Sequence, residues 1–401
     1  MLIYLLNMFL IIVWALVFRI GGRSRVKDVI FVSICFCQMF MITSIRYNIG
    51  YDYQQYTVGF YKMNSGDFFD LAYEDWEIGY VLLNKVIGLF TRRFTMMIRI
   101  TSFLSLIGPA YAIARYSKGP ITSVFLYINL WLFYLDMSFI RQAIAMSILC
   151  FAYGLLRDKK TWRFLLITVI ATLFHFSALY MAAVYLVCSL KINSRTFLLY
   201  LFGLFYYFML GDGALKLVLT RFHSEYLHSD FIRLGLYFYF SVVPLILALL
   251  AVLLSYYLRN IPRSVQLAVH FTLISAFWQV AMTKHAISER FTPYTFIFMV
   301  IAVPEAIEVF RAEFRSRLTE KYLEESGLSD TVKRKSLRAK ARKKTSAVVL
   351  CVAFAVLALT FTYHVIGLLA PLQGAYGVLP YDTIYRFEVP SIDGLFNKYY
   401  E

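Results

Sequence analysis

The chain has 401 residues, of which 60% are hydrophobic and 16% are charged, and its mean hydropathy is +0.64. A soluble domain is about half apolar and about a quarter charged, so the composition excludes a soluble globule, a disordered chain and a fibrous repeat. The formal net charge of +16 lies mostly in short segments between apolar runs. That distribution is typical of the cytoplasmic loops of membrane proteins and not of a nucleic-acid-binding surface. The expected fold class is therefore all-α, a polytopic integral membrane protein.

Apolar runs along the chain predict about 12 transmembrane helices, because one crossing needs about 20 apolar residues. Two of the predicted spans are too short to cross comfortably, so they form either one crossing or a broken pair that bends at residues 175–177. In chain order the predicted spans are 2–19, 28–45, 94–114, 121–136, 139–156, 163–175, 177–190, 196–211, 234–258, 265–282, 291–309 and 346–369.

This topology makes residues 1–401 a single integral membrane domain with most of its lysines and arginines on the cytoplasmic side. The loop 46–93 and the C-terminal tail 370–401 are expected outside. Within that outside loop, residues 80–90 are apolar but too short to cross, which predicts a re-entrant or interfacial helix. The basic loop 309–346 is expected inside, as an anchor against anionic lipid headgroups.

The first candidate group follows the second span and contains Arg46, Gly50, Asp52 and Tyr56. Arginine keeps its charge and presents a fixed fork of donors, which suits phosphate or a carboxylate. Asp52 is either the partner of Arg46 or a base, and tyrosine rings suit the C–H faces of sugars. An Arg46–Asp52 pair that only holds the loop against the membrane interface explains the residues equally well.

Two further groups lie at outer ends of predicted spans. Arg141 and Gln142 begin an inward-going helix, where helix amides help to bind an anion; the alternative is an arginine that reaches to lipid headgroups. His175 lies at the candidate helix break, where irregular backbone at membrane depth normally lines a cavity. It is a candidate general base, although a lone histidine in an apolar run is usually a hydrogen-bonded structural residue.

The loop between the tenth and eleventh spans contributes His285, Glu289 and Arg290. Arg290 precedes an inward helix and is a candidate pyrophosphate ligand; the alternative is an exposed loop with a Glu289–Arg290 contact. Glu77 beside Trp76 is either an acid–base carboxylate or the cap of the helix that follows. No histidine or cysteine has a partner at metal-ligand spacing, so no metal is expected.

Arginines, a histidine and an aspartate at the outer ends of different spans together fit an anionic substrate that is embedded in the membrane and reached from outside. A lipid pyrophosphate meets both requirements, because its headgroup is anionic and its tail stays in the lipid.

Five short motifs in a consistent order resemble the EpsG-like and Wzy-type bacterial polysaccharide polymerases. The chain departs from the family pattern in having Tyr51 before Asp52, where a small residue is expected, and in its long inside basic loop. The motif residues are Arg46, Gly50, Asp52 and Tyr56; Glu77, Gly79 and Tyr80; Arg141, Gln142 and Ala145; Phe174, His175, Ser177 and Ala178; and Glu289, Arg290 and Phe291.

The resemblance implies a GT-C-like glycosyltransferase that needs no cofactor, metal or nucleotide sugar. It would transfer a growing glycan onto the next polyprenyl-pyrophosphate-linked repeat unit, outside the bacterial cytoplasmic membrane. Expected partners are these lipid-linked oligosaccharides, the bilayer and a chain-length-regulating co-polymerase, with no nucleic acid. The alternatives are an O-antigen ligase-like enzyme or acyl transferase, and a lipid-linked glycan transporter.

The resemblance also implies roles for the candidate residues. The arginines would hold the pyrophosphate leaving group. His175 is the first choice for the base that deprotonates the acceptor hydroxyl, and Asp52 is the second. The expected pyrophosphate ligands are Arg46, Arg141 and Arg290, and the expected glycan-binding residues are Tyr56, Glu77, Gln142, His285 and Glu289.

Overall fold

The computed structural model describes residues 2–73, 76–222, 238–326, 331–369, 377–379 and 381–383. These residues form helices and no strand, apart from one isolated antiparallel bridge between Arg46 and Thr383. The all-α prediction is confirmed, and several of the helices are apolar, as expected for a membrane protein.

Sixteen α-helices are found in the described residues, together with two short 3₁₀ helices at Phe176–Leu179 and Ala286–Phe291. The α-helices are α1 (Leu2–Val17), α2 (Arg25–Ser44), α3 (Tyr53–Ser65), α4 (Ile78–Phe90), α5 (Phe94–Tyr116), α6 (Pro120–Asn129), α7 (Leu132–Ser138), α8 (Ile140–Phe151), α9 (Tyr153–Arg157), α10 (Thr161–Thr172), α11 (Tyr180–Ser189), α12 (Ser194–Phe222), α13 (Phe238–Tyr257), α14 (Arg263–Ala281), α15 (Thr292–Ser326) and α16 (Thr331–Leu368).

The chain divides into two compact units. The first unit consists of Met1–Arg115, Trp131–Ala182 and Gly367–Glu401, and the second of Tyr116–Leu130 and Ala183–Ile366. Both units therefore draw on segments that are far apart in the sequence.

The predicted count of about 12 spans is not supported. In the part of the chain that the structure describes, four helices are long and apolar enough to cross a membrane, or five if one bent helix pair counts as a span. The four helices are Arg25–Ser44, Phe94–Tyr116, Arg263–Ala281 and Arg334–Leu368, and the pair is Pro120–Asn129 with Leu132–Ser138. Other predicted spans correspond to apolar helices of only 10–17 residues.

Helix breaks inside apolar runs explain part of this difference. The predicted span 121–136 is two helices bent by 48°, and Trp131 between them has a positive φ of 66°. The predicted span 139–156 divides at Ala152 into α8 and α9. Hydropathy reports only the apolarity of a segment, so it gives no sign of a break that leaves the side chains apolar.

The two long segments between predicted spans contain helices, as expected for residues 80–90. Residues 80–90 lie in the 13-residue helix α4. In the basic segment 309–346, α15 continues to Ser326 and α16 already begins at Thr331. Most of the C-terminal tail 370–401 lies outside the described residues.

Each unit has its own packed interior. In the second unit α14 packs against α13 and α15, and Ser275 hydrogen-bonds to Thr295 across the α14–α15 contact, with 2.7 Å between the hydroxyl oxygens. The first unit contains an aromatic cluster in which Tyr56, Trp76 and Tyr80 are buried. These three rings lie within 5.7 Å of one another, centroid to centroid, and they fix where α3 meets the start of α4.

Candidate active site

Tyr56, Glu77, Arg141 and His175 are brought together in the first unit, and we call them the Glu77 cluster. Arg141 donates from Nη1 to Glu77 Oε2 at 2.6 Å. The other carboxylate oxygen, Oε1, lies 2.9 Å from Nδ1 of His175 and accepts from the backbone N–H of Phe176 at 2.9 Å. One carboxylate therefore joins a cation, an imidazole and a backbone amide from three separate parts of the chain.

Glu77 is ionised in this arrangement. Burial alone raises the pKa of its carboxyl, but the hydrogen bond and charge of His175, the charge of Arg141 and the amide of Phe176 together lower that pKa to about 2. An ionised carboxylate only accepts hydrogen bonds. The proton in the Glu77–His175 contact therefore belongs to Nδ1 of His175.

The sequence around Glu77 explains how the carboxylate reaches this position. Glu77 precedes α4 in an extended conformation, and two residues later Gly79 donates its backbone N–H to the carbonyl oxygen of Leu173 at 2.7 Å. A Cβ at position 79 would lie 2.6 Å from that oxygen, closer than real Cβ contacts allow. A glycine is required because α4 begins directly against the turn that carries His175.

Arg141 lies at the start of α8 and is enclosed by aromatic groups. Its guanidinium carbon is 5.0 Å from the ring centroid of Trp76, within the range of a cation–π contact. Its backbone N–H donates to the hydroxyl of Tyr56 at 3.5 Å. Burial raises the pKa of Tyr56 to about 12, so this hydroxyl remains neutral and can also donate.

His175 lies in a turn between α10 and the first 3₁₀ helix. Its backbone is extended, with φ −158° and ψ 119°, and hydrogen bonds on both sides fix the turn. The side chains of Glu77, Arg141 and His175 are 15%, 18% and 15% exposed. The cluster is thus sheltered but reachable from outside the protein.

Arg46, also in the first unit, is fully buried. Its Nη1 donates to the carbonyl oxygen of Thr43 and, at 3.0 Å, to the hydroxyl of Ser102, while Nε and Nη2 have no hydrogen-bond partner in the described chain. Burial lowers the pKa of this guanidinium. Arg46 therefore contacts no member of the Glu77 cluster through a hydrogen bond or ion pair among the described residues.

A short C-terminal segment lies against the backbone around Arg46. Thr383 forms the isolated bridge with Arg46, and Tyr47 donates its N–H to the carbonyl oxygen of Asp382 at 3.0 Å. Gly50 makes a similar bond to Gly377 at 3.0 Å. No local sequence signal predicts this contact, because the partners are more than 300 positions apart.

The two remaining candidates in the first unit occupy different environments. Asp52 is half-buried at the N-cap of α3, directly after the turn made by Gly50 with a φ of 102°. A side chain at Gly50 would collide with the carbonyl oxygen of Met137, which explains the glycine in that motif. Gln142 is buried in α8 with 2% of its surface exposed.

The second unit contains His285, Glu289 and Arg290. His285 lies in a turn after α14, and its Nδ1 is 2.8 Å from the hydroxyl of Tyr207, which is also 2.8 Å from the hydroxyl of Ser288. Glu289 and Arg290 are half-buried in the second 3₁₀ helix. The Glu77 cluster and these three residues thus belong to different units.

No group of three or more histidine, cysteine, aspartate or glutamate side chains in the described ranges could hold a metal ion. The features that sequence reasoning missed are the Trp76 ring over Arg141 and the Phe176 amide on Glu77. Both depend on the packing of segments that are distant in sequence.

A model of the EpsG family matches residues 29–323, a range that contains all the candidate residues. This is the family of Wzy-like polysaccharide polymerases. Neither a curated protein nor a solved structure matches the chain.

Proposed function

This chain belongs to the EpsG family, and we propose that it is a membrane-bound glycosyltransferase that joins lipid-pyrophosphate-linked glycan repeat units into a polysaccharide. The observation that carries the proposal is the family match over most of the chain. The apolar helices support a membrane location, and the proposal places the reaction on the outer side of the bacterial cytoplasmic membrane.

We propose the Glu77 cluster as the reacting centre. The acceptor hydroxyl oxygen attacks the anomeric carbon of the donor glycan, the bond from that carbon to the pyrophosphate oxygen breaks, and the electron pair leaves with the lipid pyrophosphate. The hydroxyl proton passes to His175 as general base. Arg141 offsets the charge that develops on the leaving pyrophosphate. Asp52 is the alternative base.

Arg46 and Arg290 are proposed as further pyrophosphate ligands. Two guanidinium nitrogens of Arg46 lack a partner among the described residues, which favours an anion as its ligand. Because Arg46 is fully buried, this role requires the groups that cover its guanidinium to move. The proposed glycan-binding residues are Tyr56, Gln142, His285 and Glu289, whose hydroxyl, amide, imidazole and carboxylate groups can all hydrogen-bond to sugar hydroxyls.

The test is polymerisation by purified protein in proteoliposomes supplied with a lipid-pyrophosphate-linked repeat unit. We expect a ladder of products on a glycan gel from the wild type and none from Arg141→Ala. The matched control is Arg317→Ala, because Arg317 also contacts a glutamate, Glu313, and an aromatic ring, that of Tyr257. The control removes an arginine in a similar setting that lies outside the proposed site.

Three results would contradict the proposal. Transfer of a single glycan to a different acceptor would indicate a ligase. Accumulation of lipid-linked units on the cytoplasmic face of cells that lack the protein would indicate a transporter. A full ladder from Arg141→Ala would remove the Glu77 cluster from the reaction.

A further inference from the structure

Both carboxylate oxygens of Glu77 are engaged by groups of the protein itself. Oε2 accepts from Arg141, and Oε1 contacts His175 and the backbone amide of Phe176. A residue that binds a sugar hydroxyl needs a lone pair directed at the substrate. Glu77 instead contacts Arg141, the proposed ligand of the leaving pyrophosphate, and His175, the proposed general base.

The Glu77 contact fixes the form of the imidazole. An ionised carboxylate can only accept, so Nδ1 of His175 must donate. In a neutral imidazole the other nitrogen, Nε2, then has the basic lone pair, because the hydrogen bond made by one ring nitrogen sets the role of the other. Nε2 is thereby the atom that can take a proton from an acceptor hydroxyl.

We propose that Glu77 is the positioning residue of the polymerisation: it orients His175 through Nδ1 and so makes Nε2 the general base. This inference rests on the proposed function and assigns Glu77 a part in it other than sugar binding. As the acceptor oxygen bonds to the anomeric carbon, its proton moves to Nε2, and the positive charge that forms on the ring is stabilised by the adjacent carboxylate.

Two backbone hydrogen bonds hold the Glu77 carboxylate next to the His175 imidazole. The amide of Phe176, the residue after His175, donates to the same oxygen that His175 contacts. On the Glu77 side, Gly79 is bonded to Leu173, two residues before His175. Glu77 is therefore tied to the turn at two points besides the imidazole, and its orientation does not depend on the imidazole alone.

Arg141 has a second part in this arrangement. Charged groups that face His175 from the elements packed on its turn include Glu77, which contacts it directly, and Arg141 on α8, which contacts Glu77. The charge of Asp52, at the N-cap of α3, acts on Tyr56 of the same cluster. Tyr56 of α3 is bonded to Arg141 and stays neutral. Arg141 keeps Glu77 ionised, and the ionised carboxylate keeps the proton on Nδ1.

The first test is the pH dependence of polymerisation by Glu77→Gln in proteoliposomes that contain a lipid-pyrophosphate-linked repeat unit. We expect kcat to fall by about 10²-fold, within the range of a lost general base. We also expect the acid limb of the profile to move to lower pH by about one unit or more, because the loss of a neighbouring negative charge makes the imidazole harder to protonate. Glu77→Asp keeps the charge and is expected to retain part of the rate and the wild-type limb.

Glu320→Gln is the matched control, because Glu320 also pairs with an arginine, Arg259, but is exposed to solvent. It is expected to change neither the rate nor the profile. A Glu77→Gln variant that loses rate without moving the acid limb would overturn the inference, because that result is expected from a merely structural residue.

The second test does not depend on activity. In wild-type protein labelled with ¹⁵N-histidine, the His175 signals are identified by their absence from His175→Gln. We expect the neutral ring to hold its proton on Nδ1. A proton on Nε2 would overturn the inference whether or not polymer forms. A proton on Nδ1 together with no polymer from any lipid-linked unit would instead contradict the proposed function.

Discussion

The turns that carry His175 and His285 have the same backbone and different partners. In each, the histidine N–H donates to the carbonyl oxygen of an alanine four residues earlier, Ala171 or Ala281, at 3.1 and 3.0 Å. Its carbonyl oxygen accepts from the residue three positions later at 3.0 Å, and its backbone is extended. In both turns a 3₁₀ helix follows.

The difference lies at Nδ1 of the two rings. In the first turn Nδ1 contacts the ionised carboxylate of Glu77, and in the second it contacts the hydroxyl of Tyr207. A carboxylate accepts only and stabilises a charged imidazolium, whereas a neutral hydroxyl can donate or accept and adds no charge. Similar backbone geometry therefore presents His175, the proposed general base, to a carboxylate in one turn and His285 to a hydroxyl in the other.

The largest expected effect separates the two histidines directly. His175→Gln should lower the rate of polymerisation by about 10²- to 10⁴-fold, because a general base is lost. His285→Gln should lower it by less than about tenfold, because it removes one hydrogen bond, to Tyr207, worth about 1 kcal/mol. Initial rates in proteoliposomes measure both, and equal losses would show that the partner of Nδ1 does not distinguish the turns.

The next largest effect is expected at Arg141, the cation on α8 that contacts Glu77. Arg141→Lys should lower kcat by about 10²- to 10³-fold, the cost of losing one electrostatic donor at a developing charge. Lysine cannot reproduce the planar fork that contacts Glu77 and lies over Trp76. Arg317→Lys, changed in a comparable setting beside Tyr257, should keep the wild-type rate. A wild-type rate from Arg141→Lys would mean that its charge alone suffices.

Acid should remove the contribution of Glu77 to stability. The pKa of about 2 in the folded protein lies below the ordinary glutamate value of 4.5, so the contribution is complete above pH 4.5 and is lost as the pH falls towards 2. The shift corresponds to about 3 kcal/mol. The difference in unfolding free energy between wild type and Glu77→Gln should therefore shrink over that range. A difference that stays constant there would contradict an ionised, stabilising carboxylate.

The smallest effect is expected at the contact between Gly79 of α4 and Leu173, two residues before His175. Gly79→Ala should destabilise the protein by about 1–3 kcal/mol, because its Cβ would lie 2.6 Å from the carbonyl oxygen of Leu173. Gly66→Ala is the control, since nothing lies within 4 Å of a Cβ there. Thermal unfolding in detergent measures both variants. An unchanged midpoint for Gly79→Ala would show that α4 can shift without cost.

The sequence indicated Glu77, Arg141 and His175 as candidates but not that they contact one another. Glu77 and His175 are 98 positions apart, and Glu77 and Arg141 are 64 apart. Each motif has a local signal, such as a glycine two residues after the glutamate. Which motifs meet is decided by how α4, α8 and the α10 turn pack. For the same reason the contact between the backbone around Arg46 and a distant C-terminal segment was not predictable.

Composition was sufficient for the fold class and insufficient for the number of spans. A chain that is 60% hydrophobic predicts apolar helices, and the described residues form them. The break at Trp131 and the division of the chain into two units depend on backbone torsions and long-range packing, which hydropathy does not report. The break at His175 was one of two alternatives left open for the short spans 163–175 and 177–190, and the described residues form a turn there between α10 and a 3₁₀ helix.

The most direct test of His175 as the base of the polymerisation is the pH dependence of kcat/KM for wild type, His175→Gln and Asp52→Asn. We expect an acid limb in the wild type that persists in Asp52→Asn and is absent from the residual activity of His175→Gln. An acid limb that persists in His175→Gln and disappears in Asp52→Asn would make Asp52 the base instead of His175.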